Sequence, residues 1–308
     1  MLTRETMTGP WAGLPVAWTD TDQFDEAIYR GDIARCCKAG MPGIYTGGTT
    51  GEFYAMEMDE FRAVARATVE EAHAGGKPVM IGVSSTYTLG ACRRAAYAAE
   101  IGADAVQVTL PFWMEVADKE VTPFFREVSR ASGGLPLSIY ETRRCKKSLT
   151  LDQHRAIKDA VPGYIMVKAN ESTLGSTPLG CAQLSEFTNV FVGENLWGPL
   201  GPHGARGGCS SVVYWNPSFI LPLWQEAEQR NWAAVNVGCA KLQALFEFLE
   251  TFSPKGFTDS AFDRLGGVAS GFLKTSLRCR GPYPSPTQED VKILRQWYRE
   301  KFPEMLET

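Results

Sequence analysis

Three features place reactive side chains at the ends of apolar, strand-like runs. Lys168 closes the run Tyr164-Ile165-Met166-Val167. At a strand terminus facing a cavity, loss of hydration disfavours the ammonium and leaves more free amine to attack a carbonyl. Taken singly, the residue fits a surface lysine just past a strand better than a catalytic one. Tyr140 closes the preceding run, Leu137-Ser138-Ile139. On a neighbouring strand its phenol would stand near Lys168 and move protons during carbinolamine formation and bond cleavage. Its plain alternative is a structural tyrosine bonded to a backbone carbonyl. The third feature, Gly47-Gly48-Thr49-Thr50-Gly51-Glu52, follows another run. Glycines permit a tight turn, and two hydroxyls with free N–H groups make a small anion pocket suited to a carboxylate. A bare turn is the alternative, and the missing G-K-[ST] ending excludes a nucleotide-binding P-loop.

The elements that must position these groups alternate. Strand-like runs recur at residues 14–18, 43–46, 78–83, 105–109, 137–140, 164–168, 190–193 and 208–213. Helical periodicity lies between several of them: Val64, Ala65, Thr68 and Ala72 share a face, Thr88 fits an N-cap for 89–101 with Gly102 as its stop, and Asp118 fits a helix start with Pro123 tolerable only near the first turn. Continuously apolar strands separated by helices require a parallel sheet covered on both faces. Eight such units favour a closed (β/α)₈ TIM barrel over an open doubly wound sheet, and a barrel converges several strand ends on one site. Helical patterns at 218–229, 232–251, 259–277 and 288–301 exceed what a last barrel helix needs. We therefore expect a catalytic barrel over 1–230 and a C-terminal helical extension over 231–308, with 253–256 and 281–286 as connectors.

Composition sets the broad class. The chain has 308 residues, 44% hydrophobic and 21% charged, enough for a large core. Net charge is −4, with 31 basic against 35 acidic residues and no like-charge block, so neither nucleic acid nor an anionic membrane is an expected partner. The first residues carry no apolar leader core and no apolar run could span a bilayer, giving a cytoplasmic expectation. Eight scattered cysteines and three dispersed histidines offer neither a disulfide framework nor a metal site, so reduced buried thiols and no metal are expected.

Taken together, a strand followed by Gly48-Thr49-Thr50-Gly51-Glu52, a strand-terminal Tyr140 and a strand-terminal Lys168 resemble the dihydrodipicolinate synthase and N-acetylneuraminate lyase family. The order and spacing match over essentially the whole chain, including the C-terminal extension. Lesser likenesses are Val16-Ala17 as an opening strand, Ile101-Gly102-Ala103-Asp104-Ala105, and Gly207-Gly208-Cys209-Ser210. The resemblance implies a class I, metal-independent lyase acting on pyruvate or a pyruvate-derived 2-keto acid. Lys168 would form a Schiff base, Tyr140 would shuttle protons, and Thr49 and Thr50, beside Gly48, would hold the pyruvyl carboxylate. Gly208 and Ser210 would line the far side. It further implies no bound cofactor, small-molecule partners (a 2-keto acid and an aldehyde), and a homo-oligomer, dimer or tetramer.

Departures from the synthase pattern narrow the activity. The synthases' Pro-Tyr-Tyr segment reads Pro111-Phe112-Trp113 here, and Cys145 stands where they carry a carboxylate-binding arginine. Trp113 is similar to the Pro-x-Trp of hydratase-aldolases that cleave aryl-substituted ylidenepyruvates, although their Ala-Asn-Pro after the tyrosine is absent. With Phe53, Tyr54, Trp197, Tyr214 and Trp215 it would form an aromatic wall suited to an aromatic or bulky aldehyde half. Arg143 and Arg144 could instead hold a second carboxylate, unless Glu141 neutralises one of them. The alternatives are therefore a 2-keto-3-deoxy sugar-acid aldolase or dehydratase, or a synthase-like condensing enzyme. From other classes stand a phosphate-handling barrel, using Gly204-Ala205-Arg206-Gly207-Gly208, and a non-catalytic binding barrel.

Overall fold

The computed structural model describes residues 2–307. Eight parallel strands close in chain order: β1 (Gly9–Gly13), β2 (Gly43–Thr46), β3 (Val79–Gly82), β4 (Ala105–Val108), β5 (Leu137–Tyr140), β6 (Tyr164–Lys168), β7 (Asn189–Phe191) and β8 (Ala205–Gly208). Helices α1 (Glu26–Lys38), α2 (Met58–Ala74), α3 (Thr88–Glu100), α4 (Asp118–Ala131), α5 (Leu151–Ala160), α6 (Pro178–Ser185) and α7 (Trp197–Leu200) alternate with them. After β8 come α8 (Val212–Trp215), α9 (Pro217–Glu228), α10 (Trp232–Leu249), α11 (Asp259–Ser270) and α12 (Gln288–Lys301). The (β/α)₈ barrel expected from the alternation is present, and so are the surplus C-terminal helices. Helix α9 packs on β1 and α10 packs on α9, which is where we place the proposed division near residue 230.

Two cores follow from the pleat. Side chains turned inward, among them Trp11, Tyr45, Met80, Met166 and Phe191, plug the lumen, while those turned outward join the helices. Several helix starts are set by side chains: Thr150 and Gln153 form a reciprocal cap on α5, as do Thr287 and Asp290 on α12.

Five sequence expectations are corrected. The first strand is Gly9–Gly13, not 14–18: bulky Trp11 fills the lumen, and the apolar residues beyond it are buried past the strand's end. The last strand is Ala205–Gly208, not 208–213. It pairs Gly207 with Gly9 and Gly208 with Pro10, and a Cβ on Gly207 would lie 2.4 Å from the Gly9 carbonyl, so the seam demands glycine rather than a β-branched residue. Thr88 is the first residue of α3 with Tyr87 at the cap, and no side chain caps that end. Pro123 lies beyond the first turn of α4. Helix α11 stops at Ser270, where Gly271 turns left-handed at φ 96°, rather than running to 277.

The β2 loop is pressed against β3. A Cβ on Gly82 would sit 2.1 Å from the Gly47 carbonyl oxygen, a backbone atom that cannot swing aside. Gly82→Ala is expected to lower stability by about 1–3 kcal/mol, read by urea unfolding; a loss under about 0.5 kcal/mol would show that the loop yields freely.

Candidate active site

Strands β5 and β6 pair with Tyr140 opposite Lys168, so both side chains leave the barrel at one level. The Lys168 Nζ lies 4.5 Å from the centre of the Tyr140 ring and donates to the Cys209 carbonyl at 3.1 Å. The Tyr140 hydroxyl meets Thr49 Oγ1 at 3.2 Å. Lysine, phenol and threonine thus cluster at the carboxyl ends of β6, β5 and β2. Lys168 is half-buried and opens onto a chamber of about 470 Å³ shared with Thr49, Thr50, Tyr140, Ser210 and Asp263. The expected lowering of its proton affinity is corrected. Burial pulls the amine down, but the fields of Cys209, Tyr140, Asp263 and Glu194 outweigh it, and the result lies above the ordinary lysine value.

The Thr49–Thr50 loop is held from below and from the C-terminal helices. A Cβ on Gly48 would overlap the Tyr45 hydroxyl, so this glycine shapes the turn and does not itself line the chamber. Glu52 sits fully buried at a left-handed φ of 50°. Its carboxylate accepts from Trp18 Nε1 at 2.6 Å and the Arg280 amide at 3.0 Å, and pairs with buried Arg264 of α11. From the same helix the Ser260 hydroxyl donates to the Thr49 carbonyl at 3.0 Å. Tyr214 reaches Thr50 from α8 at 3.5 Å.

On the far side, Ser210 lines the chamber but is held by Glu194, which accepts from both its amide and its hydroxyl. Burial pushes the Glu194 carboxyl up. Gly208 lies behind, where a Cβ would strike Glu194 Oε1 and the Val192 carbonyl. Two carboxyls that sequence reasoning missed therefore face the lysine: Glu194 after β7 and Asp263 on α11. Neither stands in a motif, and only the closure of the barrel and its extension brings them there.

A second chamber of about 260 Å³ shares Thr49 and Tyr140 and is walled by Phe53, Tyr54, Phe112 and Tyr283. Arg144 and Cys145 also border it. Arg144 donates to Asp259 of α11 at 3.0 Å, an ion pair standing between the two chambers. The expected aromatic wall is thus partly corrected. Trp113 is 74% exposed and lines neither chamber, because its loop turns the indole outward. Trp197 is buried with its N–H on the Gly207 carbonyl, whereas Trp215 lines the larger chamber. Glu141 neutralises neither arginine; it accepts from the Leu149 amide and lies 3.4 Å from His154. Arg143 is exposed. Of the glycines in the phosphate reading, Gly207 and Gly208 lie within β8, where they pair with β1 at the barrel seam. Among the described residues, no three His, Cys, Asp or Glu side chains gather as metal ligands, and no helix is long and apolar enough to cross a membrane.

Comparison with known proteins bears on this geometry. The chain is 30% identical over 201 residues to the 4-hydroxy-tetrahydrodipicolinate synthase of Methylobacterium radiotolerans, an alignment covering 62% of this chain and 63% of that relative. It is 24% identical over 262 residues to an uncharacterized DapA-like lyase of Pyrococcus horikoshii, covering 83% and 88% of the two chains. In fold, it superposes on the dihydrodipicolinate synthase of Aquifex aeolicus with a TM-score of 0.86, at 20% identity over 98% of this chain and 100% of the other. A Ruminococcus gnavus sialic acid aldolase, a catalytic lysine mutant, superposes with a TM-score of 0.85 at 16% identity over 99% and 100%. A model of the dihydrodipicolinate synthetase family matches residues 8–259, which include both chambers' shared groups Thr49 and Tyr140 together with Lys168; the chain belongs to that family.

Proposed function

We propose that this protein is a class I lyase that forms a Schiff base between Lys168 and pyruvate or a pyruvate-derived 2-keto acid. The observation that carries the reading is the grouping of Lys168 over the Tyr140 ring, with the Tyr140 hydroxyl bonded to Thr49, at the open ends of three strands. The lysine ammonium and the ketone condense to an iminium and water, with no net change in protons. Tyr140, relayed by Thr49, moves the protons that this step and the later carbinolamine breakdown require. Thr49 and Thr50 hold the substrate carboxylate. The iminium then accepts the electron pair of a breaking carbon–carbon bond, or of a proton lost during water elimination, so no separate cofactor enters the scheme.

The aldehyde half belongs to one of two places. The aromatic chamber beside Tyr140 supports a hydratase-aldolase with an aromatic or bulky aldehyde, the reading we favour. Asn170, Asn195 and Gln243 in the larger chamber support the second reading, a 2-keto-3-deoxy sugar acid. A synthase-like condensation is disfavoured because Cys145 replaces the synthases' arginine and Arg144 is tied to Asp259. Exposed Tyr87, Leu89, Trp113 and Met114 support self-association of what we take to be a cytoplasmic enzyme.

The test is borohydride reduction with pyruvate, followed by peptide mass analysis. A pyruvyl adduct on Lys168 is expected, and an unmodified Lys168 would overturn the reading. Tyr140→Phe is expected to retain the adduct while lowering kcat about a hundredfold or more. Pairing pyruvate with aromatic and sugar aldehydes then decides between the two halves.

A further inference from the structure

Asp263 reaches the chamber from α11, outside the barrel. It is 5% exposed, lines the same cavity as Lys168 and Thr50, and its Oδ2 has no hydrogen-bond partner. The backbone beneath it is fixed by Trp215 Nε1, which donates to the Asp263 carbonyl at 2.9 Å. Its neighbour Arg264 turns away to Glu52 and gives no countercharge. A buried carboxyl beside the Thr50 and Ser211 hydroxyls, with one oxygen left unpartnered, at the edge of a site for a carboxylate substrate needs an explanation.

We infer that Asp263 is a positioning residue that takes up one proton when the 2-keto acid binds, and then donates from its carboxyl to the substrate carboxylate seated at Thr49 and Thr50. The inference rests on the Schiff-base reading. Two carboxylates sharing one low-dielectric site cannot both stay ionised, so one of them protonates. The surroundings select Asp263. Burial pushes its carboxyl up to about 7, Asp259 on its own helix adds to this, and the Thr50 and Ser211 hydroxyls with Lys168 oppose it only in part. Tyr214 of α8 and Cys279 beyond α11 face it as further acids, and Glu171, Glu247 and Glu250 line the same cavity. Lys168 is the one lysine or arginine among the residues lining that cavity. A second carboxylate entering this chamber must share that single cation with Asp263 and Glu194, whereas a neutral carboxylic acid offers it a hydrogen bond.

Because iminium formation from the ammonium is proton-neutral, any net uptake on binding reports another group. The measurement is calorimetric titration of the whole protein with pyruvate, about one pH unit above neutrality, in buffers of different ionisation enthalpy. The expected result is uptake of close to one proton per site in the wild type. Asp263→Asn should take up close to none, and Asp263→Glu should retain the uptake. Wild-type apparent affinity should weaken roughly tenfold per pH unit above neutrality, and Asp263→Asn should show a flatter profile. A wild type that binds pyruvate without proton uptake overturns the inference, even if Asp263→Asn fails to fold, as does an Asp263→Asn variant with undiminished uptake. If borohydride still traps pyruvate on Lys168 in that case, the Schiff-base reading stands and this inference alone falls. If no adduct forms, both fall.

Discussion

Lys168→Arg is expected to abolish turnover, by about four orders of magnitude or more, and to abolish the borohydride-trapped adduct while the protein stays folded. Arginine keeps the positive charge and has the reach to the Cys209 carbonyl and the Tyr140 ring, so the acid-lined chamber would still be compensated. A guanidinium is never deprotonated under these conditions and does not condense with a ketone. The substitution therefore separates covalent chemistry from electrostatics. Turnover within tenfold of the wild type would mean that the amine serves only as a countercharge. An unchanged thermal midpoint is needed for the comparison.

Arg264→Met is expected to cost about 3–5 kcal/mol of stability, because the Glu52 carboxylate would remain wholly buried with only the Trp18 indole and the Arg280 amide as donors. Glu52→Gln together with Arg264→Met should recover part of that loss, since no uncompensated charge then remains. Urea unfolding of both single variants and the double variant reads the coupling. An Arg264→Met loss below about 1 kcal/mol would show that water or a protonated Glu52 relieves the site. The pair has a functional side, because Glu52 ends the loop that carries Thr49 and Thr50. A loosened pair should raise KM for the 2-keto acid before it lowers kcat.

The sequence was informative where strand ends coincide with chemistry. The runs closing at Tyr140 and Lys168 have the bounds of β5 and β6, because a continuous apolar stretch interrupted by a polar side chain marks where a buried strand meets the barrel mouth. The barrel seam was not legible. Strands β1 and β8 are rich in glycine and proline, since Trp11 and Phe191 occupy the lumen beside them, so the usual strand residues are missing. The apolar stretch at 212–215 forms helix α8 instead. Asp263, Glu194 and Arg264 are ordinary charged residues in sequence and become buried only through tertiary contacts, which for Arg264 span much of the chain. The Lys168 proton affinity was misjudged for the same reason: desolvation can be read from a strand, but the acids that oppose it cannot. Trp113 shows the converse error, an aromatic at a suggestive position whose loop faces outward.

The Arg144–Asp259 bridge has an evolutionary consequence. It divides the barrel mouth into two rooms with a common threshold at Thr49 and Tyr140. Mutations that repaint the aromatic room leave Lys168 undisturbed, and mutations on the opposite wall leave the aromatic room intact. Selection can therefore retune what this scaffold accepts one room at a time, without first disturbing Lys168.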